Sequence, residues 1–234
     1  MSYTKGTFFK NCIHHFLFLT VTIFFVIGIG LPLYGEEVVD LPTFQIGENH
    51  LFSAIMNRKA VRQFISEPMS LTDLSMILWA GGGMKNMGID TVTHATRTIP
   101  SAMGTYPVVV YVFASEIEGL PSGIYRFLPE QHALQPVQID ELEEILSNIT
   151  NQRSVLNASL VLLIAVDTNR SARVNSKFAY LEAGEMIQNM NLVAVDSGWE
   201  GYVIGGFRQE SIMDVLSGEN IEPIVLMAFG KPSQ

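Results

Sequence analysis

The sequence predicts an α+β protein, a mixed β-sheet with helices packed on it. Three observations carry that prediction. Continuous apolar, β-branched runs recur at Pro107–Ala114 (PVVVYVFA), Leu160–Val166 (LVLLIAV) and Ile221–Phe229 (IEPIVLMAF). Such runs mark strands buried in a core. A long amphipathic stretch, Phe178–Ser197, lies between the second and third runs. The order of helices, strand, hairpin, helix, strand, long helix, strand is that of one sheet with helices laid on it.

The elements follow in order. Residues 36–50 mix acids with Pro42 and Gly47 and read as a linker or extended arm, so the folded domain is expected over residues 51–234. Leu51–Arg58 has the pattern of a short amphipathic helix. Ser70-Leu71-Thr72-Asp73 resembles a capping box, and Leu74, Ile77, Leu78 and Trp79 continue it as a helix that Gly81-Gly82-Gly83 ends. Lys85–Thr98 is polar and reads as a loop. Gly123–Phe127 and His132–Val137 are expected to pair as a hairpin, and Asp140–Asn148 to form a helix. In the long helix, Phe178, Leu181, Met186, Met190, Val193 and Ser197 follow one face, and Gly198 stops it. Gly201–Phe207 reads as a glycine-rich connection after that helix. Pro223 is expected near the start of the last strand.

Composition narrows the function. The 234 residues are 48% hydrophobic and 16% charged, enough for a real core and unlike a disordered or coiled-coil chain. With 14 basic against 23 acidic side chains the net charge is −9, which disfavours broad nucleic-acid binding. A single cysteine excludes an intramolecular disulfide framework and any four-cysteine metal site.

The first 35 residues stand apart. They hold no acid, Lys5 and Lys10 are their only Lys or Arg, and Phe16–Leu33 is uncharged and mostly apolar. Residues 1–35 are therefore expected to be a signal peptide or a membrane anchor, with residues 16–33 the membrane-associating part. Basic residues before the run and acids after it put the body outside the cytoplasm, exported or anchored.

Common catalytic motifs fail on spacing. The glycines at 28, 30 and 35 do not form a dinucleotide fingerprint, Gly230-Lys231 lacks the rest of a phosphate loop, and no nucleophile elbow occurs. The five histidines form neither HxH nor HExxH, so no metal site is expected. Three segments remain. Arg58-Lys59-Ala60-Val61-Arg62 packs three cations into an otherwise acidic body, a candidate anion site. Arg97–Pro107 (RTIPSAMGTYP) is a rigid loop of prolines, small hydroxyls and a glycine feeding a strand. Gly205-Gly206 lets backbone N–H groups come close to a ligand edge. A solvated basic face, an ordinary turn and a plain connection are the structural readings of the same segments.

Taken together, these segments resemble the nitroreductase superfamily, in particular its SagB/thiazole-oxidase-type dehydrogenase branch. The likeness runs from about Leu51 to Pro232. It includes R-[RK]-x-x-R-x-F at Arg58–Phe64, RT-x-PSA-x-x-x-YP at Arg97–Pro107, and G-[IL]-Y at Gly123–Tyr125. EAG-x-x-x-QN at Glu182–Asn189, GGF at Gly205–Phe207 and a terminal strand with Gly230 complete it.

The resemblance implies a nitroreductase-like fold, a homodimer, and non-covalently bound FMN in sites built at the subunit interface. It implies that Arg58 and Lys59 hold the FMN phosphate, with Ala60 in the same segment, and that Arg62 lies near the pyrimidine edge of the flavin. Pro100, Ser101, Ala102 and Gly104 would contact the ring system. Ile204, Gly205 and Gly206 would lie beside flavin N5, Gln152 near the ribityl or pyrimidine edge, and Lys231 near the phosphate. The implied activity is an FMN-dependent oxidoreductase working by a ping-pong mechanism. A hydride passes from a reduced donor such as NAD(P)H to a small acceptor of nitro, quinone or enone type, with no catalytic protein residue. A non-catalytic flavin-binding protein, or a membrane-tethered interaction protein on the same fold, is the alternative. Three departures stand out. Ala60 occupies a position where members often carry Ser, the basic C-terminal tail of many members is missing, and Lys177-Phe178 replaces the Lys-Tyr pair of thiazoline-oxidising members.

Overall fold

A computed structural model describes residues 49–85 and 96–233 of the chain. The expected signal or anchor segment, nearly all of residues 36–50 and the middle of the Lys85–Thr98 loop lie outside them. Helix α1 (His50–Asn57) is capped by Asn49, whose side chain accepts the Leu51 N–H. It leads to a two-residue strand, β1 (Phe64–Ile65), and then to α2 (Leu71–Gly82). Ser70 caps α2 as expected. Its Oγ accepts the Asp73 N–H at 3.0 Å and donates to the Asp73 carboxylate at 2.7 Å.

The sheet is built from β2 (Val108–Ala114), β3 (Gly123–Leu128), β4 (Ala133–Gln138), β5 (Leu160–Asp167), β6 (Glu200–Ile204) and β7 (Ile221–Pro232), together with β1. Its order is β1-β7-β5-β2-β3-β4, with β6 also on the β7 edge. Every paired strand is antiparallel, which corrects the mixed sheet expected from the sequence. β2–β3 and β3–β4 are joined by short turns and β6–β7 by a connection carrying one helix, and each brings the chain back in the opposite direction. β3 and β4 form the predicted hairpin.

Helices cover both faces. α2 and the long α6 (Ser176–Asp196) pack on one side against Val108, Val110, Val112, Leu160, Leu162 and Ile164. On the other side α3 (Leu142–Ile149), α4 (Arg153–Leu156) and α7 (Gln209–Val215) meet Val109, Tyr111, Phe113, Val161 and Leu163. Double coverage is why these strands read as continuous apolar runs. A short α5 (Thr168–Ser171) follows β5.

Two helix readings change. The buried face of α6 is Ala179, Ala183, Met186, Met190 and Ala194, while Phe178 and Leu181 are exposed. Small residues let α6 lie close to α2. There Gly81 and Gly82 belong to the helix itself and leave room for Met190 and Met186, and only Gly83 acts as the cap. The connection expected at Gly201–Phe207 is largely strand β6.

Candidate active site

One row crosses the sheet edge through Ala60, Gly201, Phe229 and Leu160. A side chain at Gly201 would lie 2.3 Å from Asn191 Oδ1 and 3.0 Å from a Phe229 ring carbon. Glycine there lets β6 sit against α6 and accept the parallel bridge from Ala60. This bridge, and the pairing of Ile65 with Lys231, bring the segment after α1 to the end of β7. Arg58, Lys59, Ala60 and Lys231 are thereby gathered at one edge. Among the described residues, Arg58, Lys59 and Arg62 form no ion pair. Arg62 stacks over Tyr202 at 4.6 Å, and Lys231 stacks over Trp199 at 4.2 Å while donating to Gly198 O at 2.8 Å.

Beyond β6, Gly205 and Gly206 are exposed, and nothing lies within 4 Å of where a Gly205 side chain would begin. Gln152 donates from Nε2 to Gly206 O at 3.1 Å, so it reaches this edge from the α4 side. Ile204 is buried in the core, which leaves only its backbone for a ligand. Arg208 donates to the carbonyls of Ser147 and Asn148 at the end of α3, tying the glycine segment to that helix.

The Pro100–Tyr106 loop is elsewhere. It precedes β2, where Pro107 O accepts the Asp167 N–H at the far end of β5. β5 has 8 residues, so the loop and the basic edge are separated along one subunit by roughly 25 Å at ~3.3 Å per residue. The loop is tightly wound. Ser101 Oγ accepts the Tyr106 N–H at 2.8 Å, and Met103, Gly104 and Tyr106 all have positive φ. Two non-glycine residues in that region amount to stored strain, a feature that concentrates at functional loops.

Side chains that sequence reasoning left without a role hold this loop. Arg97 is buried, pairs with Glu130 and lies 4.3 Å from the Tyr106 ring centre. Arg170 donates to Tyr106 O at 3.3 Å. Glu182 is buried under the loop and accepts the Val108 N–H at 3.3 Å. Burial pushes its carboxyl up, while the Ser101 hydroxyl, the Val108 N–H and the charge of Arg97 pull it back. A cavity of ≈130 Å³ opens beside Arg97, Glu130 and Arg170. Charged residues flanking an apolar strand were the available signal for this cluster.

The donor set at the basic edge suits a flavin mononucleotide. Arg58 and Lys59, in no ion pair among the described residues, are of the kind that would hold a phosphate, a carboxamide and open glycine backbone lie farther along the edge, and an aromatic flanks Arg62. Comparison with known proteins decides the family: the family model described as the nitroreductase family matches residues 55–231. The chain belongs to the nitroreductase family. Membership makes it an FMN-dependent oxidoreductase of nitroreductase type. A protein of Methanocaldococcus jannaschii whose name places it among the nitroreductases is 30% identical over 200 residues, covering 83% of this chain and 98% of its own length. A nitroreductase-type crystal structure from Ralstonia eutropha is similar at 25% identity with a TM-score of 0.66, over 84% of this chain and 89% of that one. One chain of the E. coli microcin synthetase complex McbBCD is similar in fold at 19% identity and a TM-score of 0.63, over 88% of this chain and 84% of that one.

Proposed function

We propose that this nitroreductase passes electrons from NAD(P)H to a small nitro, quinone or enone acceptor, and that the basic edge is its FMN phosphate site. The observation that carries this reading is the gathering of Arg58, Lys59 and Lys231 beside β6, with Arg58 and Lys59 in no ion pair among the described residues. When bound, FMN supplies the hydride chemistry.

The protein's own part is to bind and orient. Arg58 and Lys59 take the phosphate by charge-assisted contacts. Gly205 and Gly206 offer backbone close to the ring, and Gln152, anchored on Gly206 O, is positioned along the same edge. The Pro100–Gly104 loop lies at the other end of β5 from Arg58 and Lys59 within one subunit, which supports a homodimer in which each loop completes the partner's site. The motifs at Arg58–Phe64 and Arg97–Pro107 support the SagB/thiazole-oxidase-type branch, and Lys177-Phe178 argues against azoline oxidation within it. The basic and then apolar start of the chain supports a body held outside the cytoplasm, exported or anchored, a placement that sequencing the mature N-terminus tests.

The purified full chain tests the central reading. Flavin absorption bands should survive desalting and bleach on anaerobic addition of NADH or NADPH, then return with a quinone or nitroaromatic. Replacing Arg58 and Lys59 by Ala together should weaken FMN binding by roughly 10–100-fold and leave riboflavin binding unchanged. A colourless protein that FMN cannot reconstitute would overturn the proposal.

A further inference from the structure

The sheet has a gap between β2 and β3. The two strands pair only over Tyr111–Ala114 of β2, although β2 starts at Val108 and β3 runs on to Leu128. The cavity of ≈130 Å³ lies where they part, between Val108–Val110 on one side and Phe127–Glu130 on the other. Leu78 and Met186 add apolar wall from α2 and α6. Three arginines from three separate segments also line it: Arg97 before the Ser101 loop, Arg126 on β3 and Arg170 in α5. Among the described residues that line it, Glu130 is the one acid, so three cations face one anion in a chain whose net charge is −9.

Each arginine is held in place without being saturated. Arg126 donates from Nη1 to Glu219 Oε2 at 3.0 Å. Arg170 donates from Nη1 to Tyr106 O at 3.3 Å, and its Nε lies 3.4 Å from Asp167 Oδ2. Arg97 makes one side-chain hydrogen bond among the described residues, from Nη2 to Glu130 Oε1. The N–H groups it leaves without a partner are not sealed off, and the cavity is the space that Arg97 lines.

The Arg97–Glu130 pair is lopsided. The Arg97 side chain is 7% exposed, whereas that of Glu130, on the β3–β4 turn, is 56% exposed. A buried guanidinium keeps its charge and needs an anion beside it. An exposed acid on a turn is an anion it can exchange at small cost, because the released carboxylate returns to water.

We propose that this gap is a binding site for a small organic carboxylate. The ligand's carboxylate takes the place of Glu130 on Arg97, with Arg170 as a second cation, and its apolar body lies against Val110 and Met186. A guanidinium fork matches a carboxylate bidentately, and apolar walls favour an organic acid over inorganic phosphate, whose oxygens they would leave unpaired. Glu130 is then the internal stand-in that fills the site between ligands. None of these residues belongs to the basic edge, so the site stands apart from the FMN reading.

Benzoate, its neutral isostere benzamide and inorganic phosphate are titrated by calorimetry into the full chain, wild type and variants. Wild type should bind benzoate at least ~10-fold more tightly than benzamide or phosphate. Glu130→Gln keeps an acceptor for Arg97 but removes the competing charge, and should bind benzoate at least ~5-fold more tightly than wild type, a gain that misfolding cannot produce. Arg170→Gln should weaken benzoate by ~5-fold or more. Arg58→Ala/Lys59→Ala should bind benzoate as wild type does, which separates this gap from the proposed flavin edge. No benzoate binding, phosphate binding as tight as benzoate, or a Glu130→Gln protein no better than wild type would overturn the inference and leave the FMN reading untouched. Benzoate binding that disappears with Arg58 and Lys59 would put the acid at the flavin edge and overturn it as well.

Discussion

Gly201 and Gly205 lie in the same short stretch and meet opposite surroundings. A Gly201→Ala side chain runs into Asn191 and Phe229, so the variant should lose about 1–3 kcal/mol of stability in urea unfolding. Gly205→Ala meets open space and should unfold like wild type, although its new methyl group stands at the proposed flavin edge. Glu182 makes a pH prediction. Its carboxyl is raised in the folded protein, so the native state holds that proton more tightly than the unfolded chain. The resulting stabilisation is complete below the ordinary Glu pKa and is lost as pH rises through the folded value. Melting temperature should therefore decline over that window in wild type and decline less in Glu182→Gln, which keeps an acceptor for the Val108 N–H. Glu200 contributes in the same direction, so the double variant Glu182→Gln/Glu200→Gln should flatten the profile further.

Most elements were legible because each carries a local signal. Ser70 shows this for α2: its hydroxyl makes two contacts with Asp73, and Ser70→Ala should cost about 1 kcal/mol, read as a lowered melting temperature. The elements that hid did so for physical reasons. β6 has five residues and contains a glycine, so its strand character comes from the twelve-residue β7 beside it rather than from its own propensity. β1 is only a pairing of Phe64 and Ile65 with the end of β7. The buried face of α6 keeps Met186 and Met190 of the expected face but not Phe178 and Leu181, whose size alone suggests burial. The close approach to α2 instead selects alanines, and Gly81 and Gly82 on the other helix receive the methionines.

At the scale of the molecule, β5 sets the spacing of the proposed site, because the basic edge and the Ser101 loop lie at its two ends. Light scattering on the purified chain should give a dimer. Mixing an Arg58→Ala/Lys59→Ala protein with a Pro100–Gly104 loop variant should restore flavin binding in about one site of each mixed dimer, as shared sites require. The sequence alone determined the α+β class, the three core strands and the segments from which the site is proposed, because hydrophobic period, capping residues and clustered cations are local properties of a chain. It also named Arg58, Lys59, Gln152, Gly205, Gly206 and Lys231, which the fold brings to one edge. Only the tertiary structure decided the antiparallel pairing, the strand identity of Glu200–Ile204, the exposure of Phe178 and Leu181, and the placement of Glu182 and Arg97 beneath the Ser101 loop. Each of these depends on which distant segment lies opposite, and partners far apart in the chain leave no period in the sequence to read.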